Sequence, residues 1–85
     1  MMNNTAIAPR SSFARMLTTQ AIKDLVKEAR RVNYNVEVKK DDNGSIWGYE
    51  VRDDNALVFK GMQICRGVWG TTFSTLYWKD PLDLS

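Results

Sequence analysis

The spacing of apolar residues changes period once along the middle of this chain. Ile22, Leu25, Val26, Ala29 and Val32 recur at the intervals of a single helical face. Thr18 or Thr19 stands where a side-chain oxygen can accept a backbone N–H and start the helix. Asp24 lies early and Arg30–Arg31 late, which suits the helix dipole, and Asn33 or Asn35 can take the left-handed conformation that ends a helix. From Tyr34 the period drops to two. Tyr34, Val36 and Val38 alternate with polar residues, and Asp42-Asn43-Gly44-Ser45 reads as a two-residue type I′ hairpin turn. That turn sets Val38 opposite Tyr49 and Val36 opposite Val51, so apolar side chains meet on one face. It also sets Glu37 opposite Glu50, a repulsion that Lys39 and Arg52 can offset diagonally. Asp53-Asp54-Asn55 reads as a three-residue loop with Asn55 left-handed, which places Leu57 opposite Val51 and Phe59 opposite Tyr49.

Beyond Phe59 two periods compete. Cys65, Val68, Trp69, Thr72, Phe73 and Leu76 fit a helical face, whereas Gly67, Gly70 and the run of Thr, Trp, Tyr and Phe favour a strand. The stretch from Gln63 to Trp78 is longer than a usual strand, so the expectation is a second helix. The predicted fold class is α+β: a helix, a three-stranded antiparallel meander and a C-terminal helix, an α-β-β-β-α two-layer sandwich. Residues 1–17 contain no acidic residue and little to bury, and are expected to form a mobile N-terminal arm. Their Arg- and Ser-rich, acid-free composition also fits a transit peptide, and a third option is an arm that orders against a partner through Phe13 and Met16–Leu17. Residues 18–79 form a single domain, and an acidic tail follows at 80–85. One sheet face, with Glu37, Lys39, Gly48, Glu50 and Arg52, is expected to stay in water.

Composition narrows the chemistry. The chain has 85 residues, one cysteine (Cys65) and no histidine, so neither an intrachain disulfide nor a zinc or iron–sulfur site within one chain is expected. No Gly-rich phosphate loop is present, and the commonest general base is missing. The expectation is therefore a protein that is not an enzyme and carries no metal or cofactor. No apolar run is long enough to span a bilayer, which points to a soluble, cytoplasmic protein without a membrane partner.

Charge is divided unevenly. Residues 1–40 carry eight Lys and Arg against three Asp and Glu; residues 41–85 carry four against seven. A dedicated nucleic-acid binder is usually more uniformly basic, whereas opposed fields suit a polar protein interface with electrostatic steering. The aromatic residues Trp47, Tyr77 and Trp78 are candidate anchors for a partner, with completion of the core as the alternative. The hairpin register pairs Trp47 with Lys40 near the sheet edge. Lys23, Lys27, Arg30 and Arg31 on the outer helix face are candidates for phosphate or acidic-protein contacts, or form a solvated face.

The stretch Ile22-Lys23-Asp24-Leu25-Val26-Lys27-Glu28, followed by Arg30, Tyr34 and Val36, resembles the first helix and strand of a small phage-encoded anti-CRISPR inhibitor. That resemblance implies a three-stranded antiparallel sheet and closing helical structure. It also implies a non-catalytic inhibitor directed at a host protein, or at a protein–nucleic-acid complex of a defence system. Such inhibitors mimic DNA with a strongly acidic surface. This chain is slightly basic, so the expected mode is occlusion of a protein surface. A small nucleic-acid-binding module and a structural subunit of a larger assembly are the other two readings.

Overall fold

The computed structural model describes residues 12–79. Strand β1 (Ser12–Thr18) runs directly into helix α1 (Thr19–Arg31), and four strands follow: β2 (Asn35–Lys40), β3 (Ile46–Asp53), β4 (Ala56–Cys65) and β5 (Val68–Ser74). They form one five-stranded sheet in the order β1-β5-β4-β3-β2, with every neighbouring pair antiparallel. The helix carries the chain from one sheet edge to the other and packs on one face.

The expected α-β-β-β-α sandwich is therefore corrected: the described residues form five strands and one helix, and residues 63–78 hold no helix. Two local features decide the C-terminal half. Gly67 sits at φ 79°, a left-handed conformation that lets Arg66–Gly67 reverse the chain within two residues. Trp69, Thr71 and Phe73 then alternate with Val68, Gly70 and Thr72, and it is this period of two that the sheet buries. Leu76, needed for a helical face, is solvent-exposed. Part of the expected mobile arm is also ordered. Phe13 lies opposite Phe73, with ring centroids 5.4 Å apart, and Leu17 lies opposite Trp69. Residues 1–11 and the acidic tail at 80–85 lie outside the described residues. The closing helical structure and three-stranded sheet implied by the anti-CRISPR resemblance are corrected on the same grounds.

The helix follows its sequence signals. The Thr18 hydroxyl accepts from the Ala21 N–H at 3.1 Å, and Asn33, at φ 66°, ends the helix. Tyr34 N donates to Ala29 O and Asn33 N to Arg30 O, the paired bonds of a Schellman motif. Ile22, Val26 and Ala29 are buried and Leu25 partly so; Val32 turns out to be exposed.

The first hairpin reaches its expected register by an unexpected route. Asp41 pairs with Ser45 across a three-residue loop with left-handed Gly44, and the Asp41 carboxylate accepts from Asn43 N and Ser45 N. The extra loop residue is cancelled by a bulge at Trp47, between the pairs Lys40–Ile46 and Lys39–Gly48. Val38 thus still faces Tyr49, and Val36 faces Val51. In the second hairpin Asp54, not Asn55, is left-handed, and Asp53 pairs with Ala56. A bulge at Val58 then turns both Val58 and Phe59 into the core. Phe59 consequently faces Val51, and Gly61 faces Tyr49.

Register builds the core row by row. Beneath the helix, Val36, Val51, Phe59, Phe73 and Phe13 form an unbroken apolar row across all five strands. Next to it run Val38, Tyr49, Gly61, Thr71 and Arg15, with Ile22 seated over Gly61. Trp69 stacks on Tyr49 at 5.6 Å and its indole N–H donates to the Thr19 hydroxyl. Full burial of Ile22, Val51 and Phe59 contributes roughly 1.5–3 kcal/mol each.

Candidate functional site

One face of the sheet is left without a covering layer among the described residues. Its central row reads Lys39, Gly48, Met62, Gly70, Met16 from edge to edge, and the adjoining row reads Glu37, Glu50, Lys60, Thr72, Ala14. Glycine on either side of Met62 lowers the floor of this face. A trough of about 350 Å³, lined in part by Lys39, Trp47, Lys60 and Met62, lies on the Gly48 side. A second of about 390 Å³, lined in part by Ala14, Met16, Met62 and Ile64, lies on the Gly70 side. Ile64 reaches over Gly70 so closely that a Cβ there would come within 2.8 Å of Ile64 Cδ1.

The two halves of this face differ in chemistry. Met16, Met62 and Ile64 are 67 %, 56 % and 54 % exposed, a large apolar share for side chains so near one another. Towards β2 the face is charged. Lys39 Nζ lies 3.7 Å from Glu37 and 3.6 Å from Glu50, and Arg52 pairs with Glu50, so the Glu37–Glu50 repulsion is offset as its register implied. Trp47 stands where the two halves meet at the hairpin end, 41 % exposed because its bulge leaves it without a cross-strand partner.

The residues singled out from sequence separate into three places. Trp47 and Lys40 lie at the hairpin end, but the expected pair between them is corrected: Lys40 pairs with Ile46 and is exposed, because the bulge takes Trp47 out of the ladder. Lys23, Lys27, Arg30 and Arg31 are exposed on the helix, on the opposite side of the molecule from the open sheet face. Arg31 pairs with Glu28; this hydrogen bond holds the Glu28 carboxyl below its ordinary range and the guanidinium above its own. Lys23, Lys27 and Arg30 make no ion pair among the described residues.

Tyr77 and Trp78 occupy the third place, half-buried. Tyr77 N and Trp78 N both donate to Ser74 O, and the turn they close folds Trp78 back over the core. The Trp78 ring meets Phe73 edge-on at 4.9 Å, and its N–H donates to Val58 O at 3.1 Å. Tyr77 Oη donates to the Asp53 carboxylate at 3.1 Å; burial, and then this bond, raises the phenol above its ordinary value. These contacts match the core-completing alternative for both residues.

Met62 and Ile64 were not among the sequence candidates, and Met16 was one only as part of an arm ordering against a partner. Their proximity depends on β4 pairing with β5 and β5 with β1, and the helical reading of residues 63–78 removed both pairings. Among the described residues, no three His, Cys, Asp or Glu side chains are grouped to hold a metal ion. No described helix is long and apolar enough to cross a membrane. No protein family matches this chain, and no curated protein or solved structure matches it either.

Proposed function

We propose that this chain acts without catalysis, by docking a protein partner on the open face of its sheet and occluding the partner's surface. The observation that carries the reading is the exposed cluster of Met16, Met62 and Ile64, with Trp47 beside it and a charged margin of Lys39, Glu50, Arg52 and Lys60. Apolar surface rimmed by charge is the anatomy of a protein interface, and Trp and Met are enriched in such sites. A host enzyme or defence complex is the proposed target class, on the strength of the helix-and-strand resemblance.

A second reading is supported by Lys23, Lys27 and Arg30, three cations on one helix face that make no ion pair among the described residues. They suit phosphate contacts to a nucleic acid. One experiment separates the two. The tagged full chain is used to capture material from source-cell lysate, alongside Met62→Asp and the combined Lys23→Ala, Lys27→Ala, Arg30→Ala variant. Docking on the sheet predicts a stoichiometric protein partner lost with Met62→Asp and kept by the helix variant. The reverse pattern, with nucleic acid in the captured fraction and steep salt dependence, supports the second reading.

A further inference from the structure

The two edges of the sheet are not equally protected. On β2 the edge carries Glu37, Lys39 and Lys40, and a bulge breaks the pairing beside Lys39–Lys40; charge and bulges are how proteins discourage strand addition. On β1 the edge runs for seven residues, in unbroken register with β5, and Arg15 is its single charge. No described residue pairs with the outer side of β1.

This edge, unpaired among the described residues, also forms one wall of a groove. A cleft of about 500 Å³ lies between β1 and α1, with Phe13 and Leu17 on the strand side, Leu25 on the helix side and Trp78 at its end. Arg15 and Lys79 line it against a single carboxylate, Asp24, which leaves a net positive charge. A free strand edge supplies main-chain hydrogen bonds, and an apolar groove beside it supplies side-chain selectivity; together they are the two requirements for strand addition by a peptide.

We propose that the β1–α1 groove binds an extended segment of a partner protein as a sixth strand on β1. Phe13, Arg15 and Leu17 point to the groove side in turn, so the bound segment should read apolar-x-acidic-x-apolar, with its carboxylate opposite Arg15. The pattern is symmetric and serves either strand direction. A second copy fits worse. Its β1 has no acidic residue and brings another Arg15, and its β2 would add head to tail without closure. The chain's own residues 80–85 include Pro81, which has no N–H to give to a ladder.

The test uses the full chain to select from a phage-displayed library of random peptides, followed by fluorescence anisotropy with the selected sequences. Selected peptides should share the apolar-x-acidic-x-apolar pattern. Arg15→Glu should weaken them about tenfold or more, and should favour versions with Lys at the central position. Methylating the peptide nitrogens that face β1 should abolish binding, whereas Met62→Asp on the open sheet face should leave it unchanged. Failure to enrich any peptide overturns the proposal. So does binding indifferent to Arg15→Glu and to N-methylation. A chain that is dimeric in light scattering and becomes monomeric with Arg15→Glu assigns the edge to a second copy, against the proposal. Selection only by a chain ending at Lys79 assigns the groove to residues 80–85, with the same consequence.

Discussion

Ile22 is seated directly on Gly61: a Cβ at residue 61 would lie 2.9 Å from Ile22 Cδ1, closer than packed carbons tolerate. The helix can approach the sheet this closely because one strand residue has no side chain at that point. Gly61→Ala should destabilise the fold by about 1–3 kcal/mol, read as a lower midpoint in urea. Adding Ile22→Val should recover part of that loss, because the two sites share one contact. An unchanged midpoint for Gly61→Ala would mean that the helix shifts without cost.

Thr71 adjoins Gly61 in the same row, and its hydroxyl oxygen is buried without a hydrogen-bond partner among the described residues. An unsatisfied buried polar group costs about 1–3 kcal/mol. Thr71→Val keeps the shape and removes the group, so stability should rise by about 1 kcal/mol. Thermal unfolding of the two proteins measures this. A fall in stability would show that the hydroxyl is bonded to an internal water.

Asn33 takes a left-handed conformation at the end of the helix, where a Cβ-bearing residue without a short polar side chain is strained. Asn33→Ala should cost about 1 kcal/mol, and Asn33→Gly should be neutral or stabilising. Denaturant midpoints of the pair, compared with the unaltered chain, give the sign directly.

Tyr77 titrates above its ordinary value because of burial and its bond to Asp53. A raised folded-state value favours the protonated phenol, so the contribution is full below about pH 10, the ordinary tyrosine value. It is lost as pH rises through the raised value. The stability gap between the unaltered chain and Tyr77→Phe should therefore be flat from about pH 7 to about pH 9 and shrink above about pH 10. Urea midpoints across that range test it; a gap that widens at high pH would contradict the direction of the shift.

The helix and the two strands after it were legible in their own residues, whereas the strand at Ser12–Thr18 and the form of both turns were not. A helix cap at Thr18 or Thr19, an end at Asn33 or Asn35 and the pairing of Val36 with Val51 each depend on a few neighbouring residues, and the structure sets them at Thr18, Asn33 and Val36–Val51. The open, charged sheet face around Glu37, Lys39, Glu50 and Arg52 was legible for the same reason. Bulges were not. Whether Trp47 and Val58 drop out of register depends on what the core gains, and for Val58 the gain is burial of two adjacent side chains.

What the sequence determined by itself was therefore the helix, the pairing of the two strands after it and the polarity of their faces, because those follow from short-range periodicity. The tertiary structure decided the rest. Residues 68–74 carry both a helical and a strand period, and the contest is settled by β1, more than fifty positions earlier, which pairs with them and lays Phe13 on Phe73. Non-local pairing of that kind leaves no local signature in either strand. The apolar cluster on the open face and the groove beside β1 both arise from it, because each includes β1, whose place in the sheet is set by its pairing with β5.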